Sequence, residues 1–324
     1  MKSKHMLLAG AAALAALCAL SLFVGRYPLT LQGLLSGNTM QRQVFLTLRL
    51  SRTAVGVIGG FALGVSGFVY QTVFRNPLAS PDIIGVSSGA SAGAAAGIVF
   101  FGTASAITAA SFAGALLAVG AALLLSAFDH GRRKSTIVLA GIAVHALAQT
   151  ALMAVKLTAD PERQLGAIEY WIMGSLSDVS GYRIAGSLSL CTVCLAGMFL
   201  LHLQTLLLSS DEGEARMLGV SVGRMRLLVL TLSTLSVACV ISLTGLISFI
   251  GLLAPHAARL LLRSNRRSTM LLSGLVGGVL LCSADLLARS LAQTELPVSI
   301  FTSLLGAPFL LFLVLKARSG DDIA

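Results

Sequence analysis

Ionisable and sulfur-bearing side chains are scarce in this sequence, so those inside apolar stretches mark where chemistry could take place. Five cysteines, Cys18, Cys191, Cys194, Cys239 and Cys282, all lie in apolar runs. Cys191-x-x-Cys194 has the spacing of a redox or metal pair. The odd count and the lack of framework spacing favour small residues packed in a helix instead. Gly141, His145 and Gln149 recur at i, i+4 and i+8, which puts them on one helical face. Polar groups within an apolar span face protein or a water-filled cavity. Asp285 and Arg289, four residues apart, read as a local ion pair. Arg49, Arg52 and Arg289 stand at the edges of apolar runs. Acids, histidines and cysteines occur singly, so no catalytic residue and no metal site is expected.

The elements that hold these residues follow from composition. Of 324 residues only 11 % are charged and 56 % are hydrophobic, against roughly 25 % charged in an ordinary soluble domain. Mean hydropathy is +0.89. So few charges cannot cover a water-soluble fold of this size, and disordered chains are charge-rich. Outer-membrane barrels alternate apolar and polar residues, whereas these runs are unbroken. An all-α, polytopic membrane helix bundle remains, as a single domain over 1–324. The net charge of +10 sits in short segments between apolar runs, as membrane topology requires, and nucleic acid is not an expected partner.

A spanning helix needs about 20 apolar residues. Stretches free of Asp, Glu, Lys and Arg cover 5–25, 53–74, 83–128, 135–155, 184–210, 227–258, 268–284 and 296–315. The stretch 83–128 holds two helices with a turn near Gly102-Thr103. The stretch 227–258 holds one long helix, or a full helix and a shorter one after Gly245; two there makes ten spans. With both termini in the cytoplasm, Lys and Arg divide 15 inside to 8 outside, in line with the positive-inside rule. The external set is Arg26, Arg42, Arg49, Arg52, Lys156, Arg163, Arg183 and Arg289. Lys2 and Lys4 before a Leu/Ala run imitate a signal peptide, yet the many later spans argue for an uncleaved first helix. Gly56, Gly60 and Gly64, then Gly85, Gly89, Gly93 and Gly97, form ladders that let helices approach closely. Tyr170 and Trp171 fit an interfacial aromatic belt.

Two polar segments interrupt the bundle. In 71–91, two prolines and an Asn-Pro step break the helix, and Asp82 and Ser87 are expected to cap the next one. Residues 204–226 form a cytoplasmic excursion. Ser209 or Ser210 followed by Asp211, Glu212 and Glu214 reads as a short helix start with acids at its positive end. Ala215, Leu218 and Val222 would line one face, and Gly219 would end the helix. Such a segment can serve as a handle for a cytoplasmic partner.

Several long motifs, in order, carry a resemblance. They are Arg49-Leu-Ser-Arg52, GFALGVSGFVYQTVFRNPLASPDIIGVSSGA (60–90), YWIMGSLS (170–177), EARMLGVSVGR (214–224), GLISFIGLLAPHAARLL (245–261) and ELPVSIFTSLLGAPFLLFLV (295–314). Over about 45–318 the chain resembles the FecCD-type permease subunits of ABC importers for iron–siderophore complexes, haem and cobalamin. One departure is Ser51, where the family usually has proline.

The resemblance implies a type II importer permease of ten helices, in the bacterial inner membrane, working as a pair of identical subunits that encloses a central pathway. It implies two ABC ATPase subunits below, which carry ATP and magnesium, and a periplasmic substrate-binding protein above. The chain itself has no Gly-x4-Gly-Lys-Ser/Thr loop, binds no cofactor of its own and is not an enzyme. By resemblance, Glu214, Ala215, Leu218 and Gly219 couple to the ATPase. Arg49, Arg52 and Arg289 dock glutamates of the binding protein. Gly141, His145, Gln149, Met173 and Ser175 line the pathway, where His145 could touch the cargo. His256 and Arg259 match a Pro-His-x-x-Arg stretch read as structural. The expected cargo is a ferric siderophore, with haem or cobalamin as alternatives. An ATP-independent secondary transporter would need coupling carboxylates in its spans, and Asp285 alone is a thin basis for one.

Overall fold

The computed structural model describes residues 2–25, 27–35, 38–127, 134–177, 179, 182–210, 212–291 and 294–318. Arg26 and Asp211, named above, and Arg132 and Arg133, two of the fifteen cations counted inside, lie outside the described residues.

The chain folds as helices joined by short links, and no strand occurs among the described residues. α1 (Lys2–Phe23) is followed by two single turns, α2 (Leu31–Leu35) and α3 (Thr39–Gln43). α3 runs through a π-helical turn, Val44–Arg49, straight into α4 (Leu50–Phe74). After a 3-10 turn at Pro81–Ile84 come α5 (Val86–Phe100), α6 (Ala104–Ala127), α7 (Lys134–Thr158) and α8 (Gln164–Ile172). α9 (Tyr182–Leu200), α10 (His202–Leu207) and α11 (Glu212–Met217) lead to α12 (Val222–Thr244) and α13 (Ile250–Leu262). α14 (Arg267–Ser290) and α15 (Val298–Arg318) complete the order. Six helices are long and apolar enough to cross a membrane, and four shorter apolar helices accompany them, which makes ten among the described residues.

The turn near Gly102 and the break after Gly245 fall where the sequence put them. Gly102 and Gly245 both have positive φ (+68° and +71°), which glycine adopts without steric cost. The second span differs from expectation. It begins at Thr39 and continues unbroken to Phe74, so Arg49 and Arg52 lie inside the helix and not at its opening. Polar residues 39–43 hid this extension, because they read as loop.

α4 is the hub. It packs against α14, α12, α13 and α9, and its closest seam is with α14. A Cβ on Gly60 would stand 2.5 Å from the Gly277 carbonyl oxygen, so only glycine permits this backbone contact. Gly89 and Gly93 do the same for α5 against Gly114 and Ala110 of α6. α1 lies on α14, with Leu14 over Gly278. Outward-facing leucines such as Leu117, Leu124, Leu157 and Leu304 are exposed on the single chain, which suits a lipid solvent.

α4 ends in a Schellman-type turn. Arg75 is left-handed (φ +50°), its N–H bonds to the Thr72 carbonyl, and the Asn76 N–H bonds to the Gln71 carbonyl. The Asn76 side chain then accepts from the Leu78 N–H at 2.9 Å, which forms the turn around Pro77. Asp82 and Ser87 do not cap α5. The Ser87 hydroxyl donates to the Asp82 carboxylate, and Gly85 (φ +84°) stands at the helix start without a side-chain cap.

α5 and α13 have 15 and 13 residues, or about 20 Å at 1.5 Å per residue, short of a 30 Å hydrocarbon core. Each follows a stretch of irregular backbone, 75–80 and 245–249. The two stretches share a cavity of about 290 Å³ lined by Ser80, Pro81, Asp82, Ser248 and Phe249 with Leu63 and Ile241. Non-helical backbone at such depth is tolerated only where protein or a cavity surrounds it. Phe249 is left-handed (φ +68°), and its ring lies against Gly306 of α15.

Candidate functional site

Three groups of residues singled out in the sequence occupy different parts of the bundle. The first is a buried ionic cluster at the C-terminal end of α1, the start of α4 and the C-terminal end of α14. Arg52 is 8 % exposed, Arg49 7 % and Arg289 4 %. Arg52 Nε donates to Asp285 Oδ1 at 2.7 Å, and its Nη1 donates to both Glu295 oxygens at 3.1 and 2.9 Å. Arg289 Nη2 donates to the Ser21 carbonyl at 2.9 Å and to its hydroxyl at 2.8 Å, and that hydroxyl is 2.9 Å from the Thr53 hydroxyl. Arg49, the last residue of the π turn, donates to the Val24 and Tyr27 carbonyls just past the end of α1. It thus satisfies the carbonyl at the C-terminal cap of α1 and a second one in the link beyond it. Gly25 is the residue against which the Arg49 guanidinium lies.

The Asp285–Arg289 pair read from the sequence is therefore not the main contact. Asp285 lies 3.6 Å from Arg289 Nε but 2.7 Å from Arg52 Nε. Its closest partner is on another helix, which i, i+4 spacing cannot reveal. Sequence reasoning also missed Glu295, Ser21 and Thr53. The signal for Glu295 was present: an acid at the head of the ELPVS segment, between two apolar helices.

The second group was expected to line a pathway. On α7, Gly141 is buried, with the Ile83 carbonyl where a Cβ would be. It seats the 3-10 turn and lines no open space. His145, one turn on, is exposed on the single chain, and Gln149 is half-buried. Gly141 therefore faces a different environment from His145, although the spacing puts both on one stripe. Met173 is exposed and Ser175 half-buried. The Ser175 hydroxyl donates to Ser177 at 2.9 Å and its N–H bonds to the Thr244 carbonyl at 2.7 Å. The Trp171 carbonyl abuts Gly245, and the Trp171 ring packs on both apolar clusters of the interior, more inward than a belt residue.

The third group is at the opposite end of the bundle, where α4 finishes and α12 begins. Ala215 of α11 and Val222 of α12 are buried. Leu218 is 66 % exposed and Met217 82 %, so Leu218 does not share the buried face with them. Glu214 is also exposed. Gly219 (φ +81°) ends α11 with a Schellman pair: its N–H bonds to the Arg216 carbonyl, and the Val220 N–H bonds to the Ala215 carbonyl. Nearby, Arg259 bonds the Gln71 side chain and stacks over Phe68 at 5.2 Å. His256 meets the Phe309 ring edge-on at 5.6 Å. Both act within the helix packing. Cys191, Cys194, Cys239 and Cys282 are buried free thiols, and among the described residues no cluster of His, Cys, Asp and Glu could hold a metal.

Comparison with known proteins spans nearly the whole chain. The model of the FecCD transport family matches residues 13–316. The cobalamin import permease of Halobacterium salinarum is 38 % identical over 275 residues, 83 % of this chain and 72 % of that one. The molybdate import permease of Haemophilus influenzae is 33 % identical, over 93 % of this chain and 92 % of its own. The hemin transport permease of Yersinia pestis is 37 % identical, over 87 % and 86 %. Among solved structures, a metal-chelate-type ABC transporter in an inward-facing conformation superposes with a TM-score of 0.88 at 31 % identity, covering 97 % of this chain and 99 % of that one.

Proposed function

Because the chain belongs to the FecCD transport family, the membrane-spanning permease subunits of ABC importers, we propose that it carries an iron chelate inward, with a ferric siderophore as cargo. The supporting observation is that the family match covers residues 13–316 and the sequence contains no nucleotide-binding loop, so ATP hydrolysis would fall to separate ATPase chains that hold ATP and magnesium. Two copies of the permease would enclose the pathway. The chain would sit in the bacterial inner membrane with both termini in the cytoplasm, and a substrate-binding protein would dock on the periplasmic face.

In this reading Arg49, Arg52 and Arg289, which are buried in the single chain, are uncovered as the binding protein docks and then meet its carboxylates, since Arg–carboxylate pairs are directional and charge-assisted. Glu214, Ala215, Leu218 and Gly219 engage the ATPase: Met217 and Leu218 present an exposed apolar pair beside Glu214. Alternating access would tip the two bundles against each other. His145, Gln149, Met173 and Ser175 would face the pathway. The relatives' cargoes, cobalamin, molybdate and hemin, share no chemistry that one set of pore side chains could select. Recognition would therefore reside in the binding protein.

The test is ATP hydrolysis by the permease with its ATPase in nanodiscs. The binding protein of the same importer is added, loaded in turn with a ferric siderophore, hemin, cobalamin or molybdate. Stimulation by the ferric siderophore alone is expected. Stimulation by another ligand alone would overturn the cargo assignment, and hydrolysis independent of any binding protein would overturn the importer reading.

A further inference from the structure

We propose that Glu295 is an internal competitor for the docking carboxylate. It holds Arg52 while no partner is bound, and its displacement loosens the seam around Gly174. This inference rests on the docking reading given above.

The two carboxylates on Arg52 are not equivalent. The Asp285 side chain is 3 % exposed and the Glu295 side chain 24 %. Asp285 also faces Arg289, whereas among the described residues Glu295 is paired with Arg52, through Nη1. Buried pairs are hard to break, while pairs open to water exchange at little cost. Glu295 is thus the exchangeable partner. The cluster is also one negative charge short. Arg49, Arg52 and Arg289 are balanced by Asp285 and Glu295, and among the described residues Arg52 Nη2 and Arg289 Nη1 are buried without an acceptor. Buried donors of this kind favour an added anion. A carboxylate arriving from a protein surface can take over Nη1 once Glu295 swings away, and the unpaired Nη2 on the same guanidinium favours the added anion.

Glu295 also belongs to a segment stitched to the candidate pathway. The Leu296 N–H bonds to the Ala288 carbonyl at 3.1 Å, and the Val298 N–H bonds to the Gly174 carbonyl at 2.9 Å. The Ser299 hydroxyl donates to the Leu246 carbonyl at 2.6 Å. Gly174 and Gly245, both at φ +71°, lie back to back, with 3.0 Å between the position of a Gly245 Cβ and the Gly174 Cα. Met173 and Ser175 flank this contact. Release of Glu295 frees the anchor of 296–299, which in turn holds Gly174 and Leu246. An acid on the docking surface is thereby linked to the backbone beside Met173.

The experiment uses the complete transporter in right-side-out membrane vesicles without binding protein, carrying Met173→Cys and Cys18→Ser. The rate of labelling by a membrane-impermeant maleimide is the readout. Glu295→Gln is expected to raise the rate about fivefold, on the scale of a solvent-reachable ion pair, and Glu295→Asp to restore it. Raising salt from 0.1 to 1 M screens the part-exposed Arg52–Glu295 pair more than the buried Asp285 contacts. It should speed labelling with Glu295 present and do nothing in Glu295→Gln, which tests the latch without relying on a substitution that fails to fold. Labelling indifferent to both Glu295→Gln and salt overturns the latch. Glu295→Gln should also tighten binding of the purified binding protein about fivefold; unchanged or weaker binding overturns the competition. If Arg49→Glu and Arg52→Glu leave that binding unchanged as well, the docking reading itself falls.

Discussion

Asp285→Asn is the sharpest test of the ionic cluster, because it removes one charge and almost no volume. In the parent, Asp285 Oδ1 is 2.7 Å from Arg52 and Oδ2 is 3.6 Å from Arg289, with all three side chains at least nine-tenths buried. The amide leaves two buried guanidiniums facing each other, with only the part-exposed Glu295 to balance them. Removing one partner of a buried pair costs about 3–5 kcal/mol, whereas Glu295→Gln, at a water-reachable pair, should cost about 1 kcal/mol or less. A loss of about 3–5 kcal/mol is a large part of the 5–15 kcal/mol that holds a typical fold together. The assay is thermal inactivation of the detergent-solubilised transporter, followed as the monodisperse fraction surviving on a size-exclusion column. Asp285→Asn should lower the midpoint several times more than Glu295→Gln does. Equal, small shifts for the two variants would refute the reasoning, because Asp285 would then be as well solvated as Glu295.

Other expectations can be checked alongside. Gly60→Val places a branched side chain against the Gly277 carbonyl and should lose the α4–α14 seam, read as a collapse of monodisperse protein at unchanged membrane insertion. Gly245→Ala forces alanine to φ +71°, ψ −168°, a region open essentially to glycine, at about 1–3 kcal/mol; thermal stability should fall accordingly. Leu218→Glu changes a residue that is 66 % exposed, so the isolated permease should keep its melting midpoint while co-purification with the ATPase drops.

The element pattern was legible wherever apolar runs were bounded by charge or glycine. Gly102 and Gly245 marked real breaks because each has a backbone angle that other residues avoid. The start of the second span was hidden, since Thr39–Gln43 is polar apart from Met40 and periodicity carries no signal there. Spacing predicted local contacts such as Asp285–Arg289 and could not predict Arg52–Asp285, which joins positions far apart in the chain. The same limit applies to Gly141. Its i, i+4 relation to His145 is real, yet which flank of the stripe meets another element depends on where Pro81–Ile84 folds back. Leu218 illustrates the converse: a six-residue helix has too few turns for periodicity to fix its buried face.

The candidate pathway residues do not converge within one chain. His145 and Gln149 sit on α7, whose neighbours are α5, α6 and the 3-10 turn. Met173 and Ser175 sit in a segment bonded instead to Thr244 and Val298. These are two separate seams, and His145 and Met173 both point away from the packed interior. A wall built this way becomes a conduit only when a second wall faces it, as a pair of bundles would supply. Motion then needs no hydrophobic core to be remade. Gly60 against Gly277 and Gly67 against Gly251 hold α4, α14 and α13 together as one body, while irregular backbone at 75–80 and 245–249 meets at a cavity beside that body. Backbone without a regular hydrogen-bond ladder changes its angles at lower cost than a packed helix does. Phe249, held left-handed against Gly306, stands at the head of α13 where such a change would be felt. Gly306→Val is therefore expected to shift maleimide labelling at Met173→Cys, with the α4–α14 seam intact; unchanged labelling would assign Phe249 a purely local packing role.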